Sequence, residues 1–166
     1  AKKHVKRFKI DNIYWLPNGA DLNKFKFERF SLKQEKKKKK FNIIYPGAFG
    51  IANGLDNVIE AAKILDKKNS YIHITLIGDG TEKERLKLLS KGLKNITFRE
   101  PIPKILMPQV YSSSDAILVT LSDIPMFRYG VSPNKLYDAY ASGRPVITTI
   151  PGFINDEINK NNIGFG

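Results

Sequence analysis

Lys135 and Asp138 stand three residues apart, and the segment before them, Arg128 to Pro133, has the composition of a polar loop. Ser132 and Pro133 read as a helix start, with Ser132 as N-cap and Pro133 in the first helical position. The helix then runs over roughly 134–141 and stops at Ser142-Gly143. A loop entering a helix N-terminus points unpaired backbone N–H groups outward, which favours an anion. Lys135 adds a positive charge in the first turn, and Asp138 lies on the same face about one turn later. A cation for phosphate and a carboxylate for a sugar hydroxyl are what a nucleoside-diphosphate site requires. A capped amphipathic helix carrying a weak surface Lys–Asp pair fits the same residues. The two readings stay open at this level.

The elements around this stretch set its context. Phe41–Tyr45 reads as a buried strand ending at Pro46-Gly47, followed by a glycine-rich loop through Gly54. Leu55, Val58, Ile59, Ala62 and Leu65 recur at helical spacing. Tyr71–Ile77 is a second strand, closed by Gly78-Asp79-Gly80, and Thr81 with Glu84 reads as a capping box for the next helix. Strands at Asn95–Arg99, Asp115–Leu121 and Pro145–Ile150 follow, with a short helix at Leu106–Ser112 and a loop over 122–131. Five alternations of apolar strand and helix predict an α/β fold, a Rossmann-like parallel sheet with helices on both faces. In such sheets ligands bind beyond the carboxyl ends of the strands, so the loops after each strand should converge with the Pro133 helix start.

Composition narrows the chemistry further. The 166 residues suit one domain with a full core. There is no cysteine and there are two histidines, which removes thiolate metal sites and leaves little for a histidine-based triad. His73, in an alternating run, reads as an ordinary strand residue. No apolar run is long enough to span a bilayer. The net charge of +12 is concentrated at one end: residues 1–40 hold fourteen Lys or Arg against four Asp or Glu, the remainder fourteen against twelve. The basic segment ends in the run Lys36–Lys40. Such a run is commonly a solvated connector, and it would also attract nucleic acid or an anionic membrane surface. No aromatic residue interleaves it between Leu32 and Lys40, so nucleic acid is not expected as a partner. Within residues 1–40, Asn12–Leu16 reads as a short strand and Pro17–Asp21 as a turn. Some of Leu22, Phe25, Phe27 and Phe30 are expected to pack against the domain.

Gly47-x-x-Gly50-x-x-x-Gly54 misses the Gly-x-Gly-x-x-Gly spacing of a dinucleotide-binding loop, and no Gly-x-x-x-x-Gly-Lys-Ser/Thr loop exists. A nicotinamide or flavin role is therefore disfavoured. Other segments carry a more specific likeness. Pro17-Asn18-Gly19-Ala20-Asp21-x-x-x-Phe25, Tyr45-Pro46-Gly47 through Gly54-Leu55-Asp56 to Ala62, Ile77-Gly78-Asp79-Gly80-x-Glu82 and Asn95-Ile96-Thr97-Phe98 resemble, in order, segments of group 1 glycosyltransferases of the GT-B fold. Ser132-Pro133-Asn134-Lys135-Leu136-Tyr137 with Gly143-Arg144-Pro145-Val146-Ile147 resembles the aminosugar, fucosamine-type branch that serves bacterial surface-polysaccharide assembly. The resemblance runs from Ile13 to Gly166.

The resemblance implies that residues 1–40 are a basic interdomain segment with a short strand and residues 41–166 a nucleotide-sugar donor-binding domain. This would be the C-terminal half of a GT-B enzyme, truncated at its end and without its N-terminal acceptor domain. It implies donor-binding roles for Lys135 and Ser132 at the diphosphate, Gly50 through its backbone, Asp138 at the ribose, Arg99, Pro101 and Pro103 around the base, and Arg128 near the sugar. Catalytic residues are expected in the acceptor domain. The implied reaction moves a sugar from an NDP-sugar, expected to be a UDP-sugar, to a glycan or lipid-linked acceptor. Anomeric configuration would be retained, with no metal and no cofactor besides the donor substrate. The fragment alone would be inactive. A cytoplasmic location is implied, with peripheral contact at the inner face of the cell membrane left open. Two departures from the pattern stand out. Gly130 occupies the position of the first acid of the usual pair, with Asp123 as a candidate substitute, and Ala48 and Asn53 replace basic residues of the first loop. The competing reading is a non-catalytic Rossmann-like module that binds nucleic acid or anionic membrane through its lysine-rich segment.

Overall fold

The computed structural model describes residues 14, 16, 18–25, 40–129 and 131–166. The strands are β1 (Phe41–Pro46), β2 (Ile72–Ile77), β3 (Ile96–Arg99), β4 (Ala116–Val119), β5 (Val146–Thr148) and β6 (Gly164–Phe165). The helices are α1 (Leu55–Lys67), α2 (Lys83–Leu89), α3 (Met107–Ser112), α4 (Pro125–Tyr129), α5 (Asn134–Ala141) and α6 (Phe153–Lys160), with 3-10 turns at Ile51–Asn53 and Lys104–Leu106. All strand pairs are parallel, and the order across the sheet is β3-β2-β1-β4-β5-β6. The chain runs outward from β1 to β3, then returns to β4 on the other side of β1. That reversal between β1 and β4 opens a crevice at their carboxyl ends, the usual ligand position in doubly wound sheets.

Each face of the sheet has its own core because alternate strand residues point to opposite sides. On one face Ile43, Tyr45, Ile74 and Leu76 pack with Leu55, Val58, Ile59 and Ala62 of α1 and Leu86 of α2. On the other, Ile44, Ile117 and Val146 pack with Tyr111 of α3, Leu136 and Ala139 of α5, and Ile154 and Ile158 of α6. Phe25 joins this second core at 4% exposure and meets Tyr111 edge to face, with ring centroids 5.4 Å apart. The segment before the domain is thus anchored by one aromatic side chain, while Leu22 is exposed. Asn18 reinforces the anchor, its Nδ2 donating to the Ser132 carbonyl at 2.5 Å. The Asn12–Leu16 strand, apart from the exposed Tyr14 and Leu16, lies outside the described residues, as do Phe27, Phe30 and Lys36–Lys39.

Three local expectations need correction. Ser132 is not the N-cap of α5: Pro133 takes that place with an extended backbone, φ −68° and ψ 126°, and no side chain caps the helix. The Ser132 hydroxyl instead lies 2.9 Å from the Tyr137 hydroxyl. The Thr81–Glu84 capping box does not form either. The Glu82 N–H is taken by the Phe49 carbonyl at 2.9 Å, and α2 begins at Lys83. The stretch expected as a loop over 122–131 contains α4. Past the fifth strand α6 leads into β6, which falls within 162–166, a stretch that reads from the sequence as the start of a sixth strand.

Candidate donor-binding site

A pocket of about 700 Å³ opens at the carboxyl ends of β1, β2 and β4. Its walls come from the loops that follow these strands: Gly47 and Ala48 after β1, Gly78 and Asp79 after β2, and Thr120 and Leu121 after β4. Pro101, Ile102 and Lys104, which follow β3, form another side, with Met107 and Tyr111 of α3 and with Phe25. Pro133, Asn134, Lys135 and Asp138 complete it from α5. The loops are cross-braced. Thr120 Oγ1 donates to the Asn53 carbonyl at 2.7 Å and Ser122 Oγ to the Ile51 carbonyl at 2.7 Å, so the β4 loop holds the far end of the β1 loop.

Lys135 is the centre of the polar end. Its Nζ lies 4.1 Å from the centroid of the Tyr45 ring, a cation–π contact. Tyr45 is held by its hydroxyl, which donates to the Ala48 carbonyl at 2.8 Å. The lysine fits because residue 47 is glycine: a Cβ there would stand 2.6 Å from Lys135 Nζ. Burial lowers the Lys135 pKa to about 8. Among the described residues no carboxylate forms an ion pair with it. A cation taken partly out of water with no counter-ion is destabilising unless something negative arrives. It stands in the first turn of α5, whose leading N–H groups have no side-chain cap. Asp138, one turn on, lines the same pocket. Burial raises its pKa, and the positive charge of Lys104 partly opposes this.

The residues read from the sequence divide into two sets. Lys135, Asp138 and Pro101 line the pocket together. Gly50, Arg99, Pro103, Arg128 and Ser132 do not. Gly50 and Ser132 flank it, as the residue before the Ile51–Asn53 turn and the residue before Pro133. Arg99 is exposed at the end of the edge strand β3, and its carbonyl accepts the Gly78 N–H at 3.1 Å. Pro103 precedes the Lys104–Leu106 turn. Arg128 grips Asp123 with two hydrogen bonds of 2.8 and 2.7 Å. The carboxylate considered as a stand-in at Gly130 is therefore engaged by the nearby guanidinium, and Gly130 itself lies outside the described residues. Residues that the sequence did not single out for the site are Tyr45, Phe25, Met107, Tyr111 and Thr120. Apolar and hydroxyl side chains carry no local signature of a site, and only their convergence reveals one.

Comparisons with known proteins bear on the family and the fold. The model of the family "Glycosyl transferases group 1" matches residues 26–165. The chain belongs to that family. No curated protein matches it. Among solved structures it is similar to the C-terminal domain of a glycosyl transferase group 1 family protein, LpcC, from Francisella tularensis. The identity is 25% and the TM-score 0.60, over 78% of this chain and 70% of that one. S. aureus TarM, solved with UDP among its ligands, shares the fold at 17% identity and TM-score 0.75, over 99% of this chain and 31% of its own. Anabaena HepE, solved with UDP and glucose, does so at 20% identity and TM-score 0.58, over 81% and 37%. This group 1 glycosyltransferase chain thus spans about a third of the length of TarM and HepE. Its open Rossmann-like sheet is that of the C-terminal domain in GT-B enzymes. Among the described residues no three His, Asp or Glu side chains converge as metal ligands, and no helix is long and apolar enough to cross a membrane.

Proposed function

We propose that this domain holds the nucleotide-sugar donor of a glycosyltransferase, and that the donor is a UDP-sugar. The observation that carries the reading is the unpaired, partly buried Lys135 at an uncapped helix start, with Asp138 one turn further into the same pocket. The diphosphate would take the place of the missing counter-ion at Lys135. The ribose hydroxyls would donate to Asp138. The base would lie toward the loop after β3, between Pro101 and Ile102. TarM and HepE, both solved with UDP, support the choice of nucleotide.

The chemistry follows from where charge develops. As the glycosidic bond breaks, the leaving diphosphate gains negative charge. Lys135 and the α5 N–H groups would face that charge and need no reorganisation. This arrangement can supply what a metal ion would otherwise supply, and we read the reaction as metal-independent and retaining. The acceptor side would come from a partner domain that closes over the donor. The resemblance of Ser132–Tyr137 and Gly143–Ile147 to the aminosugar-transferring branch supports a reading in which the enzyme serves surface-polysaccharide synthesis from cytoplasmic donors.

Calorimetric titration with UDP, GDP and NAD tests the donor site. UDP is expected to bind most tightly, and Asp138→Asn to weaken it about tenfold, the value of one hydrogen bond to a charged group. Equal affinity for all three ligands, unchanged by Asp138→Asn, would overturn the reading.

A further inference from the structure

The opposite end of the sheet, where β1, β2 and β3 begin, carries a different kind of surface. Lys40 immediately precedes β1. Lys67 and Lys68 close α1, and Lys91 and Lys94 lie in the turn between α2 and β3. All five are exposed, and none forms an ion pair among the described residues. The topology puts them together. The Phe41 N–H donates to the Tyr71 carbonyl at 2.9 Å, and the Lys94 N–H to Asp66 Oδ1 at 3.1 Å, which ties the β3 entry to the end of α1. Asp66 is the carboxylate within this group, and that oxygen is already engaged by backbone. At the donor end Lys83, Arg85 and Arg128 are each matched by Asp or Glu, while Lys135 forms no ion pair among the described residues.

Lysines at helix C-termini favour the helix dipole, which accounts for Lys67 and Lys68. It does not account for Lys40 and Lys94, which lie outside helices. Together with Asp66, Asn69, Ser70, Tyr71, His73 and Asn95 they rim a recess of about 360 Å³. Two buried polar atoms of that recess, His73 Nδ1 and Asn95 Oδ1, have no hydrogen-bond partner. Asn95 is 6% exposed and donates its amide to the Ala62 carbonyl at 2.8 Å, which fixes the floor beneath the recess. Tyr71, 66% exposed, stands at the rim edge to face with Phe41. Exposed cations for phosphate and one amphipathic aromatic are the groups met at a lipid headgroup layer. A nucleic acid strand would call for a series of aromatic platforms, and here there is one.

We propose that this end of the sheet docks on an anionic phospholipid bilayer, with phosphates at Lys40, Lys67, Lys68, Lys91 and Lys94. The sequence run Lys36–Lys40 ends on this same face. The six residues of β1 then hold the donor pocket about 20 Å above the headgroups, facing the water in which a nucleotide sugar dissolves.

Sedimentation of the chain with vesicles tests the proposal. Vesicles of phosphatidylcholine with about one third phosphatidylglycerol should bind it and plain phosphatidylcholine should not, with binding weakened by salt. Each lysine at the surface contributes about fivefold in partitioning, so Lys91→Gln with Lys94→Gln should lower it roughly twenty-five-fold. Lys24→Gln, at the Asp21 turn away from this face, should change it less than twofold. Circular dichroism melting verifies that each variant is folded. Binding that ignores Lys91 and Lys94, or that is equal for both vesicle types, would overturn the proposal. So would a single-stranded oligonucleotide that binds more tightly than the anionic vesicles and responds to the same substitutions.

Discussion

Lys135→Met is expected to stabilise the ligand-free protein by about 2 kcal/mol and to lower its affinity for UDP about a hundred-fold. The first effect follows from the lysine pKa, lowered by burial to about 8 from an ordinary value of 10.5. Below pH 8 the folded chain carries a charge that its surroundings penalise, at roughly 1.4 kcal/mol per pKa unit. Loss of the cation–π contact with Tyr45 takes back about 1 kcal/mol. The pH dependence has a definite sign. Between about 8 and 10.5 the unfolded lysine keeps its proton and the folded one does not, so stability rises with pH in that window. Nucleotide affinity moves the other way, because the anion needs the ammonium, and should fall as pH rises above about 8. Denaturant unfolding at pH 7 and pH 9.5, paired with UDP titration at each pH, checks both halves. If Lys135→Met leaves the stability profile unchanged, the unpaired cation is not the strained element it is taken to be here.

Gly78→Ala is expected to cost about 4 kcal/mol, in the range reserved for exceptional single substitutions. Gly78 has φ +152°, and a Cβ on it would run into the carbonyl oxygen of Gly47 and come within 3.3 Å of the Phe49 ring. Neither can yield cheaply. The Gly47 N–H is already bound to the Ile77 carbonyl at 2.9 Å, and Phe49 is fully buried. Any relief would move Gly47 away from Lys135, so nucleotide affinity should fall with stability. Gly92→Ala separates crowding from backbone strain. Gly92 also has positive φ, +89°, but nothing lies within 4 Å of its added Cβ, and about 1 kcal/mol is expected. Urea midpoints of the two variants decide the matter: similar losses would mean that φ alone, and not the interlock of the two loops, sets the cost.

The parallel α/β fold was legible before any coordinates, because buried strands read as nearly continuous apolar runs and amphipathic helices repeat at 3.6 residues. Ile43–Tyr45, Ile74–Ile77 and Ala116–Val119 are of the first kind, and Leu55, Val58, Ile59 and Ala62 of the second. The same holds for the Lys135–Asp138 pair, since a helix alone puts residues three apart on one face. Local features whose hydrogen bonds have nearby competitors were not legible. Ser132 and Thr81 look like caps by type, yet the Ser132 hydroxyl meets Tyr137 and the Glu82 N–H goes to Phe49, a residue more than thirty positions away. Arg128 and Asp123 each looked available until α4 brought them together. The five-residue α4 escaped because it is little more than one turn, too short for a period to show.

What the sequence determined by itself is the order of elements, the sheet type and the helix that carries the candidate chemistry, since these depend on periodicity and on residues within one turn of each other. What only the tertiary structure decided is the state of Lys135. Burial lowers its pKa, while residues 45 and 47, some ninety positions earlier, bring a ring beneath the ammonium and leave no side chain in its way. The same is true of Phe25 and Tyr111 as pocket walls and of the lysine face at the far end of the strands. Burial, desolvation and charge clustering are properties of surfaces formed by distant segments, and they come into being only when the sheet brings those segments together.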